Sequence, residues 1–173
     1  MDERTLSGAF VLMRTATQED VERLAEIRSA PEVSRWWGGD TGLPGAVAAE
    51  LADPDTRVLV VLHENRIVGA IQWSEEEDPD YRHAGIDIYL DPAIHGHGVG
   101  TDAVRAVARH LIDELGHHRL VIDPAADNSA AIRCYTKVGF RPVGIMRRYE
   151  RGPDGTWHDG LLMDLLSHEL TGD

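Results

Sequence analysis

The chain has 173 residues, 42% of them apolar, and its 30 acidic and 17 basic side chains give a net charge of −13. Such a surface repels nucleic acid and anionic membranes and attracts cations. The composition therefore argues against nucleic acid and membranes as partners. The opening residues MDERTLSGAF lack the apolar run of a signal peptide, and the single cysteine, Cys134, excludes an intrachain disulfide. We therefore expect one cytoplasmic domain over residues 1–173.

The first half of the chain predicts short strands and short helices. The pattern Thr17-Gln-Glu-Asp20 is typical of a helix start, and Pro31 should end that helix. Two apolar runs joined by three polar residues predict a β-hairpin. The expected elements are strands over 10–13, 57–63 and 67–73, helices over 21–29 and 46–51, and loops over 35–44 and 74–80.

The second half alternates strands with helices. In one strand Ile86, Ile88 and Leu90 should face one side, and Asp87 and Tyr89 the other. Strands followed by alternating helices and strands predict an α/β (α+β) layer fold with a mixed sheet. The expected elements are strands over 85–90, 119–122, 140–146 and 161–166, and helices over 101–115 and 128–138.

The stretch His95-Gly-His-Gly-Val-Gly100 lies between a predicted strand and a predicted helix. The first amides of a helix have no intrahelical partner, and glycines let the backbone approach an anion closely. The stretch therefore predicts a phosphate-binding loop. It is neither a P-loop, because no lysine follows, nor the G-x-G-x-x-G dinucleotide pattern.

A metal site is the alternative reading of the same loop. His95 and His97 could share an ion, with a third ligand from His83, Asp91 or His117. The C-x-x-C and H-E-x-x-H patterns of zinc sites are both absent from the sequence, so we expect no metal.

Two motifs together resemble the GCN5-related N-acetyltransferases (GNAT). The spacing His95-x-x-Gly98-x-Gly100 is similar to that family's R/Q-x-x-G-x-G/A loop, with histidine in the first place. The segment from Asn128 to Phe140 is similar to its N-x-x-A-x-x-x-Y-x-K-x-G-F segment. The resemblance implies a central mixed, mostly antiparallel, twisted sheet of about six to seven strands flanked by helices, with two strands splayed at an acetyl-CoA site.

Shorter pieces are similar to aminoglycoside 6′-N-acetyltransferases. They are W-W-G-G at 36–39, E-E-E-D-P at 75–79, G-I-D at 85–87, D-P at 123–124 and A-I-R-C-Y at 131–135. The chain departs from that pattern just before Glu75 and over 147–160, where the acceptor would be selected. This resemblance implies transfer of an acetyl group to the 6′-amine of an aminoglycoside, by direct attack in a ternary complex.

The family resemblance also implies the residues that hold acetyl-CoA. The pyrophosphate would lie on the amides from Gly96 to Thr101, the pantetheine arm between the splayed strands near Asn128, and the oxyanion donors around Leu90. The expected set is Ile88, Tyr89, Leu90, His95, Gly96, His97, Gly98, Val99, Gly100, Thr101, Asn128, Ala131 and Tyr135.

Attack of an amine on a thioester needs a proton acceptor, and the leaving thiolate needs a proton donor. We expect Asp87 to be the base and Tyr135 the acid, roles that the resemblance implies; the alternatives are an electrostatic anchor and a packed aromatic side chain. Cys134 has no evident base partner and is expected in the core. The expected acceptor-binding set is Trp36, Trp37, Glu75, Glu76, Glu77, Asp78, Asp87, Asp123, Asp154 and Asp159, with Trp157 as a further aromatic face.

Other functions remain open at this point. The acceptor could be a protein N-terminus, a ribosomal protein or a polyamine. A non-catalytic acyl-CoA sensor is a further alternative, although the presence of both Asp87 and Tyr135 argues against it. We expect a monomer or a homodimer.

Overall fold

The computed structural model describes residues 4–38 and 42–172. One sheet contains eight strands in the order β1-β2-β3-β4-β5-β6-β8-β7. The strands are β1 (Thr5–Ser7), β2 (Leu12–Thr15), β3 (Thr56–His63), β4 (Arg66–Glu76), β5 (His83–Leu90), β6 (Arg119–Ile122), β7 (Arg141–Arg151) and β8 (Trp157–Leu166), and the helices are α1 (Val21–Ser29), α2 (Pro31–Trp37), α3 (Leu43–Ala52), α4 (Val99–Asp113) and α5 (Ser129–Val138).

The expected fold class is confirmed. Among the strands of the described residues, β5 and β6 pair in parallel, and the other neighbours pair antiparallel. The described residues form eight strands, where about six to seven were expected. The three-residue β1 was missed because so short a strand leaves no readable alternation of apolar and polar residues.

Two of the predicted loops were wrong. Pro31 follows the end of α1, as expected, but it also occupies the first turn of α2, where a missing amide hydrogen costs nothing. The predicted loop over 35–44 therefore contains the end of α2 and the start of α3, and its residues 39–41 lie outside the described part. The predicted acidic loop over 74–80 begins inside β4, because Glu75 and Glu76 still pair with β5.

The sheet separates two apolar cores. One core packs α4 and α5 against one face, and the other packs α1, α2 and α3 against the opposite face. Alternation along β5 follows the prediction, since Ile86 belongs to the first core and Tyr89 to the second.

The parallel pair β5–β6 is splayed. The two strands pair only at Ala84 with Leu120 and at Gly85 with Val121. Beyond these pairs β5 continues to Leu90, whereas β6 ends at Ile122. The sheet is therefore open along the second half of β5, and α4 starts beside this opening.

Candidate functional site

A cavity of about 1250 Å³ occupies the opening between β5 and β6. Its walls come from the end of β5, the glycine loop, the start of α5, the end of α2 and the end of β7. It is lined by every residue of the expected acetyl-CoA set except His97. Its volume exceeds that of most small-molecule pockets, as a long cosubstrate requires.

The glycine loop leads directly into α4. Gly96 and Gly98 both have φ +79, in the left-handed region that glycine adopts without strain. The first intrahelical bond runs from the amide of Asp102 to the carbonyl of Gly98, so the amides between these residues precede the hydrogen-bonding pattern of the helix. These amides and the positive end of the helix dipole form a cradle that fits a phosphate, even on an acidic protein.

His95 turns back toward β5. Its Nε2 donates to the carbonyl oxygen of Leu90 at 2.8 Å. This contact ties the glycine loop to the splayed strand. Over residues 4–38 and 42–172, no three His, Cys, Asp or Glu side chains are grouped as metal ligands.

The backbone of β5 presents donors to the cavity. The amide of Asp91 donates to Val68 on β4, and strand alternation then directs the amides of Ile88 and Leu90 away from β4. These two N–H groups point into the opening, where they can stabilise negative charge on a bound acyl oxygen.

Asp87 projects into the cavity from the middle of β5. It is open to solvent on this side, but protein surrounds it on the others. This loss of hydration, together with the negative charges of Asp123, Glu150 and Glu50, raises the pKa of Asp87 to about 7. A carboxyl group with this pKa can both accept and release a proton near neutral pH.

Tyr135 lies in the cavity wall, on α5. The side chain is buried and packs edge-on against Phe140. Burial, and then the charges of Cys134, Asp87 and Asp123, raise the pKa of Tyr135 above its ordinary value. The phenol therefore carries its proton at neutral pH and can donate it.

Asn128 and Cys134 also line the cavity, Asn128 at the start of α5 and Cys134 directly before Tyr135. Asn128 caps α5, because its side-chain oxygen accepts the amide hydrogen of Ala131 at 3.2 Å, and its NH₂ group is left for a ligand. Cys134, which was expected in the core, packs against the first core but is only half-buried, and it also lines the cavity next to Thr101. Burial raises the pKa of the Cys134 thiol, which disfavours the nucleophilic thiolate.

The acidic residues of the expected acceptor set divide into groups. Asp87 and Asp123 line the main cavity and also a second cavity of about 340 Å³, which Glu75 and Glu76 line as well. The Glu75 carboxylate accepts from Nε2 of the buried His117 at 2.7 Å, so this contact already uses one of its oxygens.

Four more expected acceptor carboxylates lie outside the lining of both cavities: Glu77, Asp78, Asp154 and Asp159. Asp154 sits in the β7–β8 turn, where hydrogen bonds from His158 and Thr156 lower its pKa to about 2. The Asp159 carboxylate accepts the amide hydrogen of Arg148 at 2.8 Å.

The three tryptophans expected near the acceptor, Trp36, Trp37 and Trp157, line the main cavity, but they differ in their contacts. Arg35 stacks over Trp36 with its guanidinium carbon 4.3 Å from the ring centroid, and Trp157 is largely exposed. Trp37 packs edge-on against Tyr89, and its Nε1 donates to the Ile88 carbonyl at 3.2 Å.

Trp37 is held in place by a buried arginine. The Arg28 guanidinium lies over both the Trp37 and the Tyr89 rings, 5.3 and 5.6 Å from their centroids, and it is paired with Glu50 at 2.8 Å. Trp37 is therefore packed against the splayed strand as well as exposed to the cavity.

Tyr149 and Glu150 on β7 are among the cavity residues that were missed from the sequence. The Tyr149 hydroxyl donates to Asp123 Oδ2 at 2.7 Å, and this bond and the charge of Asp123 raise the pKa of Tyr149 to about 12. Burial, and then Asp123, raise the pKa of Glu150. Both residues lie beyond Met146, where the predicted strand ended; the only available signal was the polar stretch that follows it.

Comparison with known proteins decides the family. The family model of the acetyltransferase (GNAT) domain matches residues 11–141. The chain belongs to the GNAT acetyltransferase family. It is accordingly an N-acetyltransferase, and the cradle on α4 and the cavity beside it fit acetyl-CoA.

Relatives within the family differ in their acceptors. The chain is 30% identical to aminoglycoside N(6′)-acetyltransferase type 1 of Klebsiella pneumoniae, over 87% of this chain and 82% of the relative. It is 31% identical to the N-alpha-acetyltransferase RimI of Mycobacterium tuberculosis, over 82% of this chain and 85% of the relative. The solved structure of Mycobacterium smegmatis RimJ in complex with CoA-disulfide has the same fold, with a TM-score of 0.85 and 22% identity over 99% of this chain and 91% of that one.

None of the described helices has both the length and the apolar character needed to cross a membrane.

Proposed function

We propose that the protein acetylates a primary amine of a polycationic aminoglycoside, at the 6′ position, using acetyl-CoA. The observation that carries the proposal is the cluster of carboxylates around the reacting position. Asp87, Asp123 and Glu150 all line the cavity beside the splayed strand. Carboxylates at this density attract an acceptor that carries several ammonium groups, whereas an acceptor with one amine would need only one of them.

In the proposed mechanism acetyl-CoA supplies the activated acetyl thioester. The α4 amides and the side-chain amide of Asn128 bind and orient it. The N–H groups of Ile88 and Leu90 stabilise the negative charge that develops on the acetyl oxygen.

In the proposed mechanism one side chain accepts a proton and another donates one. Asp87 accepts a proton from the acceptor amine, directly or through water, because its pKa of about 7 leaves much of it ionised at neutral pH. Tyr135 keeps its proton at this pH and donates it to the departing thiolate. Two titrating groups whose pKa values lie far apart can thus act as base and acid in one turnover.

The test is release of free thiol from acetyl-CoA with aminoglycosides, polyamines and short peptides as acceptors. We expect release with kanamycin or tobramycin, and acetylation of the 6′-amine in the product. Release with peptides alone would contradict the acceptor class and would favour the alternative that the 31% identity to RimI raises, transfer to a protein N-terminus.

The base role is tested by Asp87→Asn. We expect kcat to fall by about 100-fold or more, because the amide has the shape of the carboxyl group but cannot accept a proton at neutral pH. Acetyl-CoA affinity, measured by calorimetry, should stay unchanged. Asp55→Asn, at an exposed aspartate outside both cavities, is the matched control. An unchanged rate for Asp87→Asn would refute the base role.

A further inference from the structure

Strand β7 contains a three-residue bulge opposite Asp159. Met146 pairs with Gly160 and Glu150 with His158, so β7 has three residues where β8 has one. Within the bulge Arg148 has φ +49, which non-glycine residues rarely adopt. The Arg148 amide donates to Asp159 Oδ1 at 2.8 Å. The Asp159 carboxylate therefore satisfies a backbone donor that the bulge removes from the sheet.

The bulge directs Tyr149 toward the end of β6. The ring lies against Gly160, where an added Cβ would stand 3.0 Å from Cδ1 of Tyr149 and 3.2 Å from Cε of Met146. A side chain at position 160 would therefore have to displace the Tyr149 ring by a few tenths of an ångström. From there the phenol reaches Asp123 Oδ2 at 2.7 Å.

Strand β8 also fixes the segment that carries Asp123. The amide of Ala126 donates to the carbonyl of Asp159 at 2.9 Å, and the amide of Leu161 donates to the carbonyl of Pro124 at 2.9 Å. One short stretch of β8 thus holds the bulge on one side and the Asp123 segment on the other. The Tyr149–Asp123 hydrogen bond joins the two sides at the cavity.

We propose that Tyr149 is a specificity-determining residue of the acceptor site, and that Asp159 is the positioning residue that holds it there. This inference rests on the proposed function, because it assumes a cationic acceptor beside Asp87 and Asp123.

The chemistry of the pair supports this assignment. The phenol gives its hydrogen to Asp123 Oδ2, but its oxygen keeps lone pairs for another donor, and Asp123 keeps Oδ1. An ammonium group has three hydrogens and can bind both oxygens at once. Tyr149 therefore favours acceptors with a second ammonium group in addition to the reacting amine.

The first test is Tyr149→Phe, with kanamycin as the polycationic acceptor and 6-amino-6-deoxyglucose as the monoamine. We expect KM for kanamycin to rise about tenfold, as for a lost hydrogen bond to a charged group, with kcat changed less than about threefold. The kcat/KM for the monoamine and the Kd for acetyl-CoA should stay the same. Tyr81→Phe, at an exposed tyrosine that lines neither cavity, is the matched control.

The positioning role is tested with Asp159→Ala and Asp159→Asn. The alanine variant should raise KM for kanamycin as Tyr149→Phe does. The asparagine variant should restore it, because an amide oxygen can still accept from the Arg148 amide. The double variant Asp159→Ala, Tyr149→Phe should be no worse than either single variant within about twofold, because Asp159 acts through Tyr149.

The outcomes separate the two proposals. If the unchanged protein acetylates no amine, the proposed function fails and this inference fails with it. If the unchanged protein is active but Tyr149→Phe behaves like Tyr81→Phe, or lowers KM for kanamycin, only the specificity role is refuted. Additive effects in the double variant would refute the positioning role, and so would an Asp159→Asn variant that binds kanamycin as weakly as Asp159→Ala.

Discussion

At the scale of single residues, the ionisation of Asp87 depends on its acidic neighbours. Its pKa is raised to about 7 by loss of hydration first, and then by Asp123, Glu150 and Glu50. In the proposed mechanism the ionised form is the active base. Activity should therefore be lost as the pH falls through about 7 and be retained above it.

This dependence yields a prediction for Asp123→Asn. Removing the charge of Asp123 should lower the pKa of Asp87, so the acidic limb of kcat/KM should move below pH 7. The new amide still offers an oxygen to the Tyr149 phenol. The measurement is the pH profile of both proteins with one acceptor, which cancels the acceptor's own titration. An unshifted acidic limb would mean that another group titrates there.

The sequence predicted which residues line the site better than it predicted the side-chain contacts between them. The residues from Ile88 to Leu90 and most of the loop from His95 to Thr101 line the cavity because local spacing determines strand alternation and the start of a helix. The contact between Glu75 and His117 joins positions 42 residues apart, and no local pattern encodes it. The same is true of the Tyr149–Asp123 bond, across 26 residues.

At the scale of elements, α4 is anchored at both ends. Near its start, the buried Asp102 accepts the amide hydrogens of Ala9, Phe10 and Val11 at 2.7, 3.0 and 3.1 Å. Just beyond its end, the Arg82 guanidinium donates to the carbonyl oxygens of Leu115 and Gly116. The first anchor joins the β1–β2 connection to the first turn of α4, where the proposed phosphate cradle lies.

We predict that Asp102→Ala destabilises the protein by about 3 kcal/mol, because three backbone donors lose a charged acceptor. The measurement is the free energy of unfolding in urea. Asp113→Ala, at the exposed end of the same helix, should change this free energy by less than about 0.5 kcal/mol. A small effect at Asp102 would mean that water replaces its carboxylate without loss.

Helices and strands were predictable where the apolar pattern repeats over many residues. The apolar stripe of α4 identified that helix to within about two residues, because fifteen residues repeat the pattern four times. Strand β7 was predicted to end at Met146, because the bulge breaks the alternation just beyond it. A bulge stabilised by a carboxylate on a neighbouring strand leaves no signature in its own strand.

At the scale of the whole molecule, the net charge of −13 should steer cations toward the protein. We predict that KM for a polycationic acceptor rises when the ionic strength increases from about 0.01 M to about 0.3 M, because the Debye length shortens severalfold. The KM for anionic acetyl-CoA should stay the same or fall. A KM for the acceptor that is independent of salt would assign its binding to short-range contacts alone.

The splay between β5 and β6 opens a gap in the middle of an otherwise continuous sheet. Most sheets leave backbone groups unpaired only at their outer edges, but in this sheet pairing also stops part-way between the fifth and sixth strands. A cosubstrate bound in this gap would accept hydrogen bonds from backbone amides on both sides, and it would therefore connect the two parts of the sheet. The two parts of the sheet would then be connected along this gap only while the cosubstrate is bound.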